Sequence, residues 1–307
     1  MRSSTASSRP QTAGTDVPII ALFGPTAAGK TAVAGALREH LAAEIVSADS
    51  AALYEGLPIL TAAPGQQARL VGVVPLTAEV SVGKYQRLAH QAIDETLAAS
   101  RVPILVGGTG LYFRAALSDF ELPPPPAPGE RERWGRVYDE GGPGQAHALL
   151  AGRDPEAAAR VHANDRRRVI RALELAEAGS SLAPPKDRLW DDDTRHPTLV
   201  VGLYVPAAEL DLRIEVRVQE MVESGVVDEA RMAWAGPLSA TARKVLGLEE
   251  FATLPLDEAV EAVVAATRRL ARYQRKWLRR LPAVATLAGD RPPEETAAEI
   301  VALASRG

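Results

Sequence analysis

Short apolar, uncharged runs alternate with helix-period segments along the first third of the chain. Residues 17–23 form one such run, closed by Gly24 and Pro25, and read as a buried strand. Residues 29–41 are Ala-rich, with few breakers, and read as a helix. The pattern then predicts a strand over 43–46, a helix over 84–99, and a strand over 102–106 stopped by Gly107 and Gly108. Thr109 opens a further helix that runs to residue 117. Strand and helix in alternation predict an α/β fold, a parallel sheet flanked by helices. The pattern breaks at four prolines, 123–126, followed by Pro128 and Gly129. Consecutive prolines make a stiff, extended linker. Residues 131–179 are helical and polar, and a second breaker stretch holds Pro184, Pro185 and the Asp run 191–193. Strand character returns over 198–205, and helices are predicted at 208–223 and 256–281. The expected organisation is a flexible tail (1–16), a core in two parts (17–120 and 197–307) and a helical insertion domain (121–196) between them.

Composition narrows the chemistry more than the fold. The 307 residues are 46% hydrophobic and 24% charged, which suits a globular protein with a full core. Cysteine is absent, so a disulfide scaffold, a thiol nucleophile, a Cys-ligated zinc and an iron–sulfur cluster are all excluded. No uncharged run reaches the ~18 apolar residues of a spanning helix. The Ser- and Thr-rich tail lacks the apolar stretch of a secretory signal. A soluble, cytoplasmic protein without a membrane partner is expected. The net charge of −4 does not exclude nucleic acid, because basic patches are local. Arg166, Arg167, Arg168 and Arg171 form one such patch, and residues 267–280 another, with seven Lys or Arg and no acid. Within the second, Leu270, Tyr273, Trp277 and Leu281 recur at helical spacing and predict an apolar core stripe.

The strongest motif is Gly24-Pro25-Thr26-Ala27-Ala28-Gly29-Lys30-Thr31, which fits the pattern G-x-x-x-x-G-K-[ST] throughout. A buried strand precedes it and a helix follows. Such a loop folds its backbone around an anion, with N–H groups and the helix N-terminus aimed at phosphate oxygens. Lys30 neutralises the terminal phosphate, and the Thr31 hydroxyl is a candidate ligand for Mg²⁺. The motif selects a di- or triphosphate without saying which bond breaks. A P-loop kinase usually carries an acid for Mg²⁺ at the end of a second buried strand. Here the strand at 102–106 ends in Gly-Gly-Thr-Gly instead. Asp49 and Thr109 follow two strands, and in an open α/β sheet ligands gather at the carboxyl ends of strands. Each could equally be a helix cap. Their convergence with the P-loop favours one crevice holding all three.

In order and spacing, GPTAAGKT (24–31), SADSAALYEG (47–56) and VPILVGGTGLY (102–112) resemble the tRNA dimethylallyltransferase family. The resemblance extends to DPEAAARVHANDRRRVIRALE (154–174), LRIEVRVQEMVESG (212–225), ARKVLGLEEF (242–251) and TRRLARYQRKWLRR (267–280). It implies a P-loop NTPase-like core with a helical insertion, and Mg²⁺-dependent transfer of a dimethylallyl group from dimethylallyl diphosphate to N6 of an adenosine beside a tRNA anticodon. It implies Asp49 as the base and Thr109 as a contact to the target nucleotide. Arg217 joins the P-loop on the diphosphate. Contacts to the anticodon stem-loop fall on Asp49, Ser50, Ala51, Ala52, Thr109 and Arg131. Further contacts fall on Arg167, Arg168, Val169, Ile170 and Arg171, and on Lys244, Val245, Leu246, Gly247, Leu248 and Glu249. A monomer is expected.

This sequence departs from the family pattern over Gly56–Pro64, where an Asp, a Gly and a Lys are lost, and over Arg69–Val73, where a His pair is lost. Lys276 replaces the Thr before the final Trp. Three alternatives stand beside tRNA prenylation. They are prenyl transfer to free adenine nucleotide, a small-molecule P-loop kinase, and a tRNA-binding protein without activity.

Overall fold

A computed structural model describes residues 19–62, 68–120, 122, 125–127, 129–183 and 188–306. The tail at 1–16, the prolines at 123, 124 and 128, and Pro184 and Pro185 lie outside the described residues. Residues up to Asp119 and from Asp192 onward make one compact unit, and Phe120–Asp191 another.

The larger unit is built on six strands: β1 (Ile19–Phe23), β2 (Ala43–Ala48), β3 (Ala68–Arg69), β4 (Val102–Gly107), β5 (Thr198–Tyr204) and β6 (Val284–Ala288). They lie in the order β3-β2-β4-β1-β5-β6, with every pairing parallel. Alternation along β1 shows why the sheet is buried on both faces. Ile19, Ala21 and Phe23 enter one apolar cluster, and Ile20 and Leu22 enter another. The first cluster gathers α3 (Val82–Ala98), α4 (Gly110–Leu117), α9 (Val226–Trp234) and α10 (Leu248–Thr253). The second gathers α1 (Lys30–His40) and the closing helix α12 (Pro293–Ala304). Between them in sequence lie α2 (Pro58–Thr61), α8 (Ala207–Glu223) and α11 (Leu256–Leu278).

In the smaller unit, α5 (Glu130–Arg153), α6 (Pro155–Arg160) and α7 (Arg166–Glu177) close on their own core of Trp134, Tyr138, Leu150, Val169, Ile170 and Leu173. Helix α5 is broken at Gly142, whose φ of 77° is non-helical, just before Pro143. The smaller unit ends at Asp191, short of the expected boundary at 196. The reason is local bonding within the larger unit. Ser118 Oγ donates to the Asp193 carbonyl at 3.0 Å, and the Arg195 N–H to that of Leu117 at 2.8 Å. Arg195 also pairs with Asp94 and Asp119 at 3.0 and 3.2 Å.

One expected stripe is corrected. On α11 the buried face is Ala259, Val263, Thr267, Ala271, Gln274 and Leu278. Leu270 and Tyr273 stand exposed, at 37% and 57%. The hydrophobic spacing turns the helix toward its most apolar letters, whereas the packed face mixes Ala, Val and Leu with Thr267 and Gln274. Trp277 and Leu281 do pack on the core.

Candidate active site

The loop from β1 to α1 carries the phosphate motif. Its backbone takes left-handed values at Ala27 (φ 62°) and Gly29 (φ 84°), the kind of turn from which anion-binding nests of N–H groups are built. A Cβ at Gly24 would press on the Leu203 carbonyl at 3.2 Å, so β5 fixes the loop's entry. Lys30, the first residue of α1, folds back, and its Nζ donates to the Pro25 carbonyl at 2.7 Å. Thr31 is exposed beside it.

Beneath the loop lies a cavity of about 150 Å³. Thr26, Lys30 and Thr31 line it from the loop, and Ser47, Asp49, Ala51 and Ala52 from the end of β2. Gly107 and Gly108 line it from the end of β4, and Arg217 from α8. Leu60, Thr61, Ala62, Val245 and Leu246 close another side, and Val263, Thr267, Leu270 and Gln274 of α11 form a wall. A second, larger groove of about 620 Å³ runs along the outer side of the loop, past Ala27–Ala32 to Glu209, Arg213, Arg217 and Glu220. Lys30, Thr31, Ala62 and Arg217 are common to both.

Asp49 is held by its own turn. Its N–H meets Ser47 Oγ at 3.3 Å, and its Oδ1 accepts the Ala51 N–H at 2.9 Å. Below it, buried Tyr85 donates to the Ser47 carbonyl at 3.1 Å and packs on Tyr112, ring centroids 4.6 Å apart. Burial, then Tyr112, then Asp49 push the Tyr85 phenol up, so it stays a neutral donor. The two cations of the cavity are both perturbed, with Asp49 acting on each. Burial, and then the Arg217 guanidinium, pull the Lys30 ammonium down to about 8, while Asp49 opposes them. Burial also lowers Arg217, against the pull of Asp49 and Glu220. Two cations held out of water beside each other form a site that a polyanion would relieve.

The glycines after β4 are there because nothing larger fits. A Cβ at Gly107 would lie 2.4 Å from the Ala48 carbonyl oxygen, and one at Gly108 2.8 Å from that of Gly24. One at Gly110 would lie 2.1 Å from the Trp277 ring. An acid for Mg²⁺ therefore has no room at 107 or 108. Among the described residues no three His, Asp or Glu side chains gather to hold a metal by themselves. The Thr31 hydroxyl is a hard oxygen donor at the edge of the cavity. It fits a Mg²⁺ that takes its remaining ligands from water and from phosphate oxygens.

The IPP transferase family model matches residues 52–281. The chain belongs to the IPP transferase family. A relative from Thermobifida fusca named tRNA dimethylallyltransferase is 42% identical over 89% of this chain and 91% of its own. One of the same name from Streptomyces coelicolor is also 42% identical, over 88% and 90%. The solved tRNA isopentenylpyrophosphate transferase from Bacillus halodurans is 30% identical, with a TM-score of 0.67 over 94% of this chain and 95% of that one. No helix among the described residues is long and apolar enough to cross a membrane.

Of the residues the resemblance singled out, Asp49, Lys30, Thr31 and Arg217 meet on the one cavity. Thr109 does not line it. It stands at the N-terminus of α4 without a side-chain capping bond, one residue beyond Gly108. Of the segment 244–249, Lys244 and Glu249 are exposed and Val245 and Leu246 line the cavity, with Gly247 buried. Leu248 is corrected: it has no exposed surface and packs in the core, so its side chain cannot meet RNA. Val169 and Ile170 are corrected for the same reason, since both belong to the core of the smaller unit. Their helix presents Arg167 and Arg168 to solvent instead. Arg131 and Arg171 both bond the fully buried carboxylate of Glu174, each at 3.0 Å. Sequence reasoning missed Gln274 and the wall of α11. A polar residue recurring with Val263 and Thr267 at helical spacing was the available signal.

The departing stretch is ordered where it is described. Helix α2 receives both carboxylate oxygens of Glu229, which accept the N–H groups of Ile59 and Leu60 at 2.9 and 2.7 Å. Ala63 and Pro64 lie outside the described residues.

Proposed function

We propose that this protein transfers a dimethylallyl group from dimethylallyl diphosphate to N6 of adenosine 37, beside the anticodon of tRNAs reading codons that begin with U. The product is N6-dimethylallyladenosine, with one prenyl group in place of one N6 hydrogen. The observation that carries the reading is that Asp49 and the Lys30–Arg217 pair line one cavity. The N6 amine attacks the allylic carbon of the donor. A C–N bond forms there as the C–O bond to diphosphate breaks, and the electron pair leaves with the diphosphate. The loop N–H groups, Lys30 and Arg217 stabilise that growing negative charge. Asp49 orients the amine and accepts the proton it sheds. Mg²⁺, held by Thr31 and phosphate oxygens, would add further charge neutralisation to the leaving group.

A base in a stacked loop cannot reach a cavity of this kind and must be everted, at a cost of a few kcal/mol. Contacts from Ser50, Ala51, Lys244 and Glu249, and from Arg131, Arg167, Arg168 and Arg171 of the smaller unit, would offset that cost. Thr109 would contact the everted nucleotide. The protein would act in the cytoplasm as a monomer. The crowding at Gly107 and Gly108 speaks against a kinase. Free adenine nucleotide is the competing acceptor, and the names of the relatives favour tRNA. Offering labelled dimethylallyl diphosphate with unmodified tRNA or with AMP decides between them. Label on tRNA is expected, and label on AMP alone would overturn the assignment.

A further inference from the structure

Gln274 is a buried polar side chain, 4% exposed, in the wall of the cavity and outside the groups used above. Its Oε1 accepts the Thr26 N–H at 2.8 Å, a bond spanning 248 residues of sequence. Thr26 is the residue before Ala27, the non-glycine position of the loop with φ of 62°. A left-handed Ala is strained and persists only where its surroundings hold it. On its other side the Gln274 amide lies against Gly108, where a Cβ would meet Nε2 at 2.4 Å and Cδ at 3.0 Å. One side chain thus stands between the phosphate loop and the turn after β4. It occupies an N–H that would otherwise be open to the anion or to water, and so ties the loop to α11.

We infer that Gln274 is a positioning residue that pre-forms the phosphate loop, so that the loop's remaining N–H groups meet the diphosphate without rearrangement. The inference rests on the prenyl-transfer reading only for the identity of the donor. Inorganic pyrophosphate serves as the probe, since its binding needs no acceptor. Gln274→Met keeps the length and removes the acceptor oxygen. Calorimetric titration should show pyrophosphate binding weakened about tenfold, the effect of one lost hydrogen bond to a loop that must then be ordered by the ligand. In steady state KM for the prenyl diphosphate should rise by the same factor, with KM for tRNA within about twofold of the parent. Gln274→Asn retains the amide but is too short to reach Thr26, and should show the same split. It supplies the test if the Met variant does not fold. The Thr26 amide proton should exchange slowly in the parent and fast in either variant. Parent-like pyrophosphate affinity in a folded variant would overturn the inference, as would equal rises in both KM values. A parent that binds pyrophosphate yet prenylates nothing would defeat the proposed function and leave this test intact.

Discussion

The cavity of the larger unit and the surface of the helical unit handle charge in opposite ways. In the cavity burial and the nearby Arg217 hold the Lys30 ammonium down, and burial lowers Arg217 as well, while Asp49 opposes both shifts. On the helical unit several arginines are already paired with carboxylates at the surface. Arg166 forks onto Asp139 at 2.7 and 2.6 Å, Arg168 lies 3.7 Å from Asp165, and Arg133 bonds Glu177. Exposed pairs of this kind contribute little to stability, so their cations can be recruited by RNA phosphate at small expense. The first arrangement suits bond making and the second suits grip. Variants in the two units should therefore fail differently.

The largest effect belongs to the cavity. Asp49→Ala should cost about 10²–10⁴ in transfer rate, the range for a removed general base. Its pyrophosphate affinity, read by calorimetry, should stay close to the parent's. A parent-like rate would remove Asp49 from the chemistry.

Next comes the core beneath the arginines. Leu173 has no exposed surface, and Leu173→Ala should destabilise the helical unit by about 2–5 kcal/mol. The predicted signature in a denaturation series, followed by Trp134 fluorescence, is early loss of that unit and of tRNA binding. Pyrophosphate binding should survive. Loss of both together would blur the contrast between the units.

The third prediction is a pH profile. With Lys30 near 8 in the unliganded protein, its ammonium is complete below that pH and lost above it. Donor affinity should hold steady on the acid side and fall by up to about tenfold per pH unit above 8. Burial and then Arg217 depress Lys30, so Arg217→Gln should move the break to higher pH even as it weakens binding overall. A break that stays put would show that the two cations are not coupled. Smallest is Arg167→Ala, which should lower tRNA affinity modestly and reduce the salt slope by about 1.

The phosphate loop was legible because its chemistry is written in consecutive residues. The strands at 19–23, 43–48 and 102–107 were legible because burial on both faces leaves continuous apolar runs. Strand β6 and helices α9, α10 and α12 were not read. They are short or Ala-rich, and they are fixed by partners distant in sequence, as when the β6 residues Val284–Ala288 align along β5. The cavity wall on α11 escaped for the same reason. Its face is chosen by close approach to the sheet, where Leu278 fills the space left by Gly202. A motif match across 167–171 and 244–249 could name a segment but not which side chains point outward, and so it included Val169, Ile170 and Leu248.

The account turns on a diphosphate held at the loop while an adenine amine meets Asp49. Nucleoside mass spectrometry of unmodified tRNA, incubated with this protein and dimethylallyl diphosphate, tests that most directly. One prenylated adenosine beside the anticodon is predicted with the parent and at most a trace, over the same interval, with Asp49→Ala. An unprenylated tRNA pool, with the donor bound by a folded protein, would contradict it.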